Sequence, residues 1–410
     1  MANISDYLDW RGDLDFSVSP FCEVDNLILS ELAYVDFDGI VPGEDKRETI
    51  TIQKACRDFF SLYSEEEILA RTSTTKMAPF LMKKLISGRR FGSLMLGNYV
   101  NEIDMDSQRQ FSAVCCYLGD GTVYVAYRGT DNTIVGWKED FNMGFLCHAS
   151  GQRRAVRYLN DNFKGGCGRL RVGGHSKGGN LAVYASSFCE PDVQRRIQKV
   201  YTNDGPGFLP EILRDPGYRR ILPRVVSTIP ESSIVGMLLE NDVEHTVVKS
   251  SQTGVLQHDA LSWEVIGKTF VRAKSLSESS QLLDRTLKNW LMGLDQEERE
   301  EFVDVLFGIL WSTGATTLED LMDLDIRDLA EVHNYIVSLP PETQRSVRNV
   351  LMRLAVCSGE SVKEKLFMQI FGNRRKREDK WEKMRISEEV LIFSPINQVA
   401  RNPVKSYDMT

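Results

Sequence analysis

The stretch RVGGHSKGGNLA (Arg171–Ala182) contains a G-x-S-x-G pattern with Ser176 at its centre. A β-type run, Arg169–Gly173, precedes the pattern, and a run with helical character, Lys177–Phe188, follows it. A serine between a strand and a helix is typical of a nucleophile elbow, in which glycines leave room for the two elements to cross. The serine then lies at a helix N-terminus, where the dipole favours a developing negative charge. This stretch therefore predicts a reactive serine on an α/β fold.

Strand and helix signals alternate around the elbow, from about residue 150 to residue 250. Such alternation predicts parallel βα units and an α/β sheet that helices cover on both faces. The predicted strands are Arg169–Gly173, Lys199–Thr202, Arg224–Thr228 and His245–Lys249.

The chain before the elbow has a different pattern. Apolar residues between Cys56 and Gly88 recur at helical spacing and predict two or three helices. Short β-rich runs follow, and Gly-Asp-Gly at Gly119–Gly121 is a hairpin signal that predicts antiparallel pairing. These runs are Phe91–Val100, Phe111–Tyr117 and Thr122–Tyr127.

The composition excludes several functional classes. The 410 residues have a formal net charge of −8, whereas a nucleic-acid surface needs clustered Lys and Arg, so we expect no nucleic-acid partner. The first residues are rich in Asp, where a secretory signal needs a basic start and an apolar run. The longest uncharged stretch, Val305–Leu318, has 14 residues, fewer than the roughly 18 to 20 of a membrane span. We expect neither export nor a transmembrane helix.

The eight cysteines are scattered along the chain without CxxC or Cys/His metal spacing. This usage predicts buried, reduced thiols, which fit a cytoplasmic protein. We expect no metal and no organic cofactor.

A serine nucleophile needs a histidine base, and the chain has five histidines. In a fold of this kind the base follows the serine and the acid along the chain. His148 precedes the serine, His175 is its neighbour in the elbow, and His333 lies on a predicted helix of the accessory region, which leaves His245 and His258. His245 begins the last predicted strand, whereas His258 lies in the loop after it. Because a base belongs in such a loop, we predict His258.

Three carboxylates are candidates for the acid that orients the base. Asp204 follows one predicted strand in a tight Asn-Asp-Gly-Pro turn, Glu231 follows the next strand, and Asp242 lies in the loop after that. We favour Asp204 and keep Glu231 as the alternative.

An oxyanion hole takes one backbone NH from the residue after the nucleophile, here Lys177. A second donor comes from an earlier loop, and the segment Tyr127–Asp131, directly after a predicted strand, is the candidate.

These motifs resemble known lipases. Ala126–Asp131, with Trp137 and Asp140 after it, looks like the (F/Y)RGT…W…D segment of class 3 lipases, and Gly174–Gly178 looks like their GHSxGG elbow. The closer resemblance is to a largely uncharacterised bacterial lipase-like family of α/β-hydrolases. It is carried by Gly174–Ala182, Asn203–Phe208, Ser233–Met237 and Gln257–Asp259 with Trp263.

The resemblance implies an α/β-hydrolase, a mostly parallel sheet with a nucleophile elbow, over roughly residues 1–270. It implies Ser176 as nucleophile, His258 as base, and Thr130 and Lys177 at the oxyanion hole. Class 3 lipases place an aspartate after the strand that ends near Glu231, where this sequence has Pro230-Glu231. Lys177 also stands where a small or apolar residue is usual.

The second half of the chain predicts a separate helical region. Strand signals disappear from about Ser275, and apolar residues between Phe302 and Leu310 recur at helical spacing. The sequence therefore predicts an α/β-hydrolase domain at residues 1–270, an all-α accessory domain at residues 271–375 and a tail at residues 376–410.

The sequence as a whole predicts a serine hydrolase that cleaves carboxylic esters through an acyl-enzyme, with a small acyl ester or lipid as substrate. Two alternatives stay open. The same three residues serve a thioesterase or acyltransferase, and an α/β-hydrolase fold also serves as a non-catalytic scaffold for a partner protein.

Overall fold

A computed structural model gives the structure of the chain. It describes residues 1–71, 75–104, 109–130, 134–143, 148–277 and 280, and short stretches at 303–305, 307–308, 311–314, 334–335, 337–341 and 343–344. Every described residue lies in one compact unit, Met1–Val347.

A mixed sheet of eight strands lies at the centre of the described residues, and its strands follow one another across the sheet in chain order. Its strands are β1 (Ile50–Thr51), β2 (Met95–Asp104), β3 (Arg109–Tyr117), β4 (Thr122–Tyr127), β5 (Arg169–His175), β6 (Ile197–Asn203), β7 (Val225–Pro230) and β8 (His245–Val248). Neighbours from β1 to β4 are antiparallel, and neighbours from β4 to β8 are parallel. A small separate hairpin pairs β9 (Val265–Ile266) with β10 (Thr269–Phe270).

Helices lie between most of these strands. They are α1 (Ile4–Arg11), α2 (Glu23–Leu32), α3 (Ile52–Leu62), α4 (Glu65–Ala70), α5 (Ala78–Leu85), α6 (Ile134–Asn142), α7 (Ser150–Phe163), α8 (Lys177–Phe188), α9 (Pro191–Arg196), α10 (Pro210–Arg214) and α11 (Pro216–Ile221). Short 3-10 helices occur at Leu222–Arg224, Val235–Met237, Gly254–His258 and Ala260–Ser262. Within the described residues, none of the helices combines the length and the apolar character of a bilayer span.

Both faces of the sheet are buried, because successive strand residues point to opposite sides. In β4, Tyr124 and Ala126 join the hydrophobic cluster that contains α2, while Val125 and Tyr127 join the cluster that contains α7 and α8. The fold thus has helices packed on each face of a sheet, which is the layered α/β arrangement.

The hairpin between β3 and β4 shows how local sequence sets this order. Gly121 has a φ of 76°, a conformation that glycine adopts without strain. Asp120 Oδ1 accepts a hydrogen bond from the backbone N of Thr122 at 3.0 Å. The turn therefore joins the antiparallel half of the sheet to β4, the first strand of the parallel half.

The predicted α/β class and the change from antiparallel to parallel strands are confirmed. The predicted helices after Cys56 correspond to α3, α4 and α5. The accessory domain and tail fall largely outside the described residues, although residues 303–305 and 307–308 are helical. The predicted divisions at residues 270 and 375 therefore stay predictions.

Candidate active site

Ser176 joins β5 to α8 in a sharp turn at the carboxyl edge of the parallel strands. Its φ of 57° and ψ of −134° lie outside the regions that non-glycine residues usually adopt. A Cβ on Gly178 would come within 2.1 Å of the carbonyl oxygen of Tyr127, and one on Gly174 within 2.3 Å of Gly178. The two glycines are therefore needed where β4, β5 and α8 cross, and the turn has the geometry of a nucleophile elbow.

Three side chains form a continuous chain of hydrogen bonds that begins at this serine. Ser176 Oγ lies 3.0 Å from His258 Nε2, and His258 Nδ1 lies 2.7 Å from Asp204 Oδ2. The residues come from the turn between β5 and α8, from the turn after β6 and from the 3-10 helix after β8. The carboxyl ends of the parallel strands thus bring together residues that are far apart in sequence.

Asp204 is fully buried, and its carboxylate has partners on both oxygens. Oδ1 accepts hydrogen bonds from the Ser233 hydroxyl and from the backbone N of Gly236, the latter at 3.1 Å. Its φ of 49° turns the chain sharply at the end of β6, and Asp tolerates this left-handed conformation better than most residues. The turn directs the carboxylate toward His258 rather than toward solvent.

The other two candidate acids lie elsewhere. Glu231 follows β7, where its backbone N donates to Val248 and its carbonyl accepts from Ser277. Asp242 Oδ2 is paired with Arg219 Nη1 at 3.0 Å. The carboxylate that the structure places on His258 Nδ1 is that of Asp204.

The backbone of His258 is held by a second histidine, His175, which directly precedes the nucleophile in the chain. His175 Nε2 lies 2.8 Å from the carbonyl oxygen of His258, and the two rings are 4.7 Å apart. A carbonyl only accepts hydrogen bonds, so Nε2 of His175 carries the proton. Burial, with a smaller effect of His258, lowers the pKa of His175 to about 3, so this ring is neutral.

A buried carboxyl group lies on the other side of His175. Glu31 Oε1 is 3.3 Å from His175 Nδ1, and the Tyr34 hydroxyl lies 3.2 Å from the same nitrogen. Burial raises the pKa of Glu31 to about 8, with a smaller contribution from Asp259. At neutral pH a protonated Glu31 therefore faces the neutral ring. The sequence around Ser176 does not indicate this contact, because Glu31 lies on α2, far from the serine along the chain.

The segment after β4 lies directly beside the serine. A Cβ on Gly129 would come within 3.1 Å of Ser176 Cβ, so the two chains nearly touch. The hydroxyl of Thr130 donates to Asp140 Oδ2 on α6. Burial raises the pKa of Asp140 to about 6, while nearby Lys177 opposes this shift. Of the two residues expected at the oxyanion hole, Lys177 follows Ser176 along the chain, and Thr130 follows Gly129, the residue that lies beside Ser176 in space.

The side chain of Lys177 turns away from the surface, although its backbone follows the nucleophile. Its Nζ donates to Gln110 Oε1 at 2.8 Å, to the Gln110 carbonyl at 3.2 Å and to Glu139 Oε2 at 3.1 Å. A lysine in place of the usual small residue is thus accommodated in the interior. Neither Gln110 nor Glu139 was predicted, because both meet Lys177 only in the folded chain.

The serine and the base remain accessible from solvent. Ser176 is partly exposed, and the His258 side chain is 29% exposed, whereas Asp204 is fully buried. Leu256, two residues before the base, is an exposed apolar side chain. The two residues that would meet a substrate therefore keep some solvent exposure in the described part of the chain.

A family model described as Mbeg1-like matches residues 85–308, which is more than half of the chain and contains Ser176, Asp204 and His258. The chain belongs to the Mbeg1-like family. Among curated proteins, none matches this Mbeg1-like chain.

Solved lipase structures resemble this Mbeg1-like chain only weakly. The native Rhizomucor miehei lipase propeptide complex shares 17% identity over 38% of this chain and 57% of the lipase chain, with a TM-score of 0.29. M37 lipase shares 16% identity over 43% of this chain and 70% of the lipase chain, with a TM-score of 0.31. A two-residue deletion mutant of the Rhizomucor miehei complex shares 15% identity over 46% of this chain and 70% of the lipase chain, with a TM-score of 0.32. The Mbeg1-like chain thus spans less than two thirds of the first lipase chain.

Proposed function

We propose that this protein is a serine hydrolase with an α/β-hydrolase fold that cleaves carboxylic esters of acyl or lipid-like substrates. The observation that carries the proposal is the hydrogen-bonded chain from Ser176 Oγ through His258 to buried Asp204. A serine hydroxyl is a weak nucleophile at neutral pH, and a base within hydrogen-bond reach is what activates it. A serine hydroxyl hydrogen-bonded to an oriented imidazole is the arrangement that serine enzymes use for acyl transfer.

In the first step Ser176 Oγ attacks the acyl carbonyl while its proton passes to His258 Nε2. His258 then gives this proton to the leaving alkoxide, and an acyl-serine ester remains. Water, deprotonated by the same nitrogen, attacks the acyl-serine and releases the carboxylic acid. The cycle consumes one ester and one water and produces one acid and one alcohol.

Asp204 orients the base in this proposal. Its Oδ2 accepts the Nδ1 proton of His258, which leaves Nε2 free to take a proton from Ser176. The donors on Oδ1, Ser233 and Gly236, hold the carboxylate in place. The imidazolium that forms during attack is stabilised by this fixed negative charge.

The negative charge that develops on the substrate oxygen needs hydrogen-bond donors to stabilise it. We assign this role to the backbone NH groups of Thr130 and Lys177. The NH of Lys177 belongs to the first turn of α8, where helix NH groups have no intrahelical acceptor. Fixed donors of this kind supply a large part of the rate enhancement in acyl transfer.

The environment of the thiols fits a cytoplasmic location, which we include in the proposal. Cys56, Cys115, Cys116 and Cys189 are free and buried. Unpaired cysteines persist where the surroundings are reducing.

The proposal is tested by hydrolysis of p-nitrophenyl esters of increasing acyl length, with Ser176→Ala as control. We expect release of p-nitrophenol by the natural protein and loss of release in the variant. Acyl thioesters of the same lengths, run in parallel, distinguish a thioesterase from an esterase. A folded natural protein that hydrolyses neither series would contradict the proposal and favour the non-catalytic scaffold.

A further inference from the structure

Lys177 has a fully buried side chain in the direct neighbourhood of the candidate oxyanion hole. It is 1% exposed, and its three Nζ hydrogen bonds reach one carboxylate oxygen and two oxygens of Gln110. An ammonium group has three donors, so its hydrogen-bonding capacity is filled. Burial of an ammonium group costs free energy unless the group is paired, and these hydrogen bonds offset that cost for Lys177.

Glu139, the charged partner of Lys177, connects several elements near the site. Its Oε2 also accepts from the backbone N of Gln110 at 3.1 Å, and its Oε1 accepts from the backbone N of Gly151 at 2.6 Å. The carboxylate thus joins α6 to β3, to the start of α7 and, through Lys177, to the start of α8. Glu139 is itself only 2% exposed.

The neighbour of Glu139 contacts the other half of the candidate oxyanion hole. Asp140 accepts the Thr130 hydroxyl on Oδ2, while its buried Oδ1 has no hydrogen-bond partner among the described residues and lies 3.8 Å from Lys177 Nζ. Two adjacent carboxylates of α6 therefore hold the side chains of Thr130 and Lys177, the two residues to which the proposed function assigns the oxyanion hole. Their negative charge alone would oppose an oxyanion nearby, because charges interact strongly away from water.

We propose that the Lys177 side chain is a positioning residue for ester hydrolysis. Its ammonium group fixes the backbone NH that follows the nucleophile and offsets the two α6 carboxylates beside the oxyanion. This inference rests on the proposed hydrolase function. An apolar residue at position 177 would fill the space but would leave Glu139 without its counter-ion.

The test compares four forms of the full-length chain with the natural protein: Lys177→Met, Glu139→Gln, the double variant, and Lys138→Met. Lys138 is a matched control, because it is a buried lysine of the same helix as Glu139, and its ammonium pairs with Asp304 at 2.8 Å and lies over Trp311. Kinetics of p-nitrophenyl butyrate hydrolysis, the rate of labelling by a fluorophosphonate, and Tm are measured for each.

We expect Lys177→Met to lower kcat by about 10- to 100-fold, with KM changed by less than about 3-fold, because a donor used only in the transition state is misplaced. Its Tm falls too, since Glu139 is left as an uncompensated buried charge. The double variant removes that charge, so Tm recovers while kcat and the labelling rate stay low. Lys138→Met keeps the kcat of the natural protein.

Recovery of kcat together with Tm in the double variant would overturn the inference, because Lys177 would then act only through stability. Unchanged kcat in Lys177→Met would also overturn it, while leaving the hydrolase proposal intact. A natural protein that neither hydrolyses the ester nor reacts with the fluorophosphonate would overturn both proposals. The activity and labelling of the natural protein therefore distinguish failure of the hydrolase proposal from failure of the inference about Lys177.

Discussion

Ser176 occupies a backbone conformation that costs free energy for any residue with a side chain. Its φ of 57° is maintained because the flanking glycines let β4, β5 and α8 approach within contact distance. Such strain persists only where the surrounding structure enforces it, and it is concentrated at functional sites. The hydroxyl is thereby fixed 3.0 Å from the imidazole instead of rotating freely on a loop.

The three side chains of the hydrogen-bonded chain are expected to act as a unit. Ser176→Ala should lower kcat by on the order of 10⁶, since the nucleophile is lost. Asp204→Asn should lower kcat by on the order of 10⁴, because an amide favours the wrong imidazole tautomer. Steady-state ester hydrolysis measures both.

Glu231→Gln is the matched control for the acid. Its backbone bonds to Val248 and Ser277 do not involve the carboxylate, so activity should be retained. If Asp204→Asn kept full activity and Glu231→Gln lost it, the acid would be Glu231.

Glu31 should make stability depend on pH. Burial raises its pKa from an ordinary 4.5 to about 8, so the folded carboxyl keeps a proton that the unfolded one has lost. The free energy of unfolding is therefore reduced progressively as pH rises from about 4.5 to about 8. Glu31→Gln, which cannot ionise, should be the more stable form at pH 8 and should show a flatter profile of Tm against pH.

Glu66→Gln, at an exposed carboxyl of α4, is the control for this experiment and should leave the profile unchanged. Parallel profiles for Glu31→Gln and the natural protein would show that Glu31 is ionised in the folded state, against this account.

The sequence motifs predicted Ser176, His258 and Asp204, the side chains that the structure brings together, because each lies in a short segment after a strand. The partners that hold them could not be predicted in the same way. Glu31, Tyr34 and Glu139 reach the site from α2, from the loop after it and from α6. Their contacts depend on how distant elements pack, and a single sequence does not contain that information. The catalytic roles themselves stay predictions.

At the scale of elements, the elbow depends on close packing of backbone against backbone. Gly178→Ala should abolish activity and lower Tm, because the new Cβ would lie 2.1 Å from the Tyr127 carbonyl. Backbone atoms cannot move aside as a flexible side chain would. Activity and thermal unfolding of the variant check this expectation.

Gly119→Ala is the control that tests whether a methyl group added at any glycine would lower activity and Tm. The site of its Cβ is open, with no heavy atom of the described residues within 4 Å apart from its chain neighbours, so activity and Tm should be unchanged. Normal activity in Gly178→Ala would show that the elbow does not have the tight crossing described.

Element type was predictable from periodicity, and element bounds were less so. The β-rich run predicted from Phe91 begins as a strand only at Met95, because residues 91–93 form a turn. The loop predicted around His258 contains a short 3-10 helix, Gly254–His258. Trp263 Nε1 holds this segment by donating to the Gln257 carbonyl at 2.9 Å. A contact of this kind sets local geometry without leaving a periodic signal.

At the scale of the whole molecule, a buried ion pair ties the N-terminal segment to the chain before β2. Arg90 Nε donates to Asp25 Oδ1 at 2.7 Å, and both side chains are fully buried. Arg90 Nη1 also donates to the carbonyls of Leu14 and Ser19, each at 2.9 Å. No local pattern in the sequence indicates this pair, because its members are 65 residues apart.

Asp25→Asn should lower the free energy of unfolding by about 3 to 5 kcal/mol, because it leaves the guanidinium as an unpaired buried charge. Asp9→Asn, at an exposed pair with Lys84, should cost less than about 1 kcal/mol. Denaturant unfolding of both variants measures the difference. Equal losses would show that the Arg90 pair is not shielded from water.

The central claim is that Ser176 is an activated nucleophile, and covalent labelling tests it most directly. The full-length protein, Ser176→Ala and His258→Ala are treated with a fluorophosphonate, and the modified peptide is identified by mass. The account predicts phosphonylation at Ser176 in the natural protein and its loss in both variants. An unlabelled natural protein, or equal labelling of Ser176→Ala, would contradict the account.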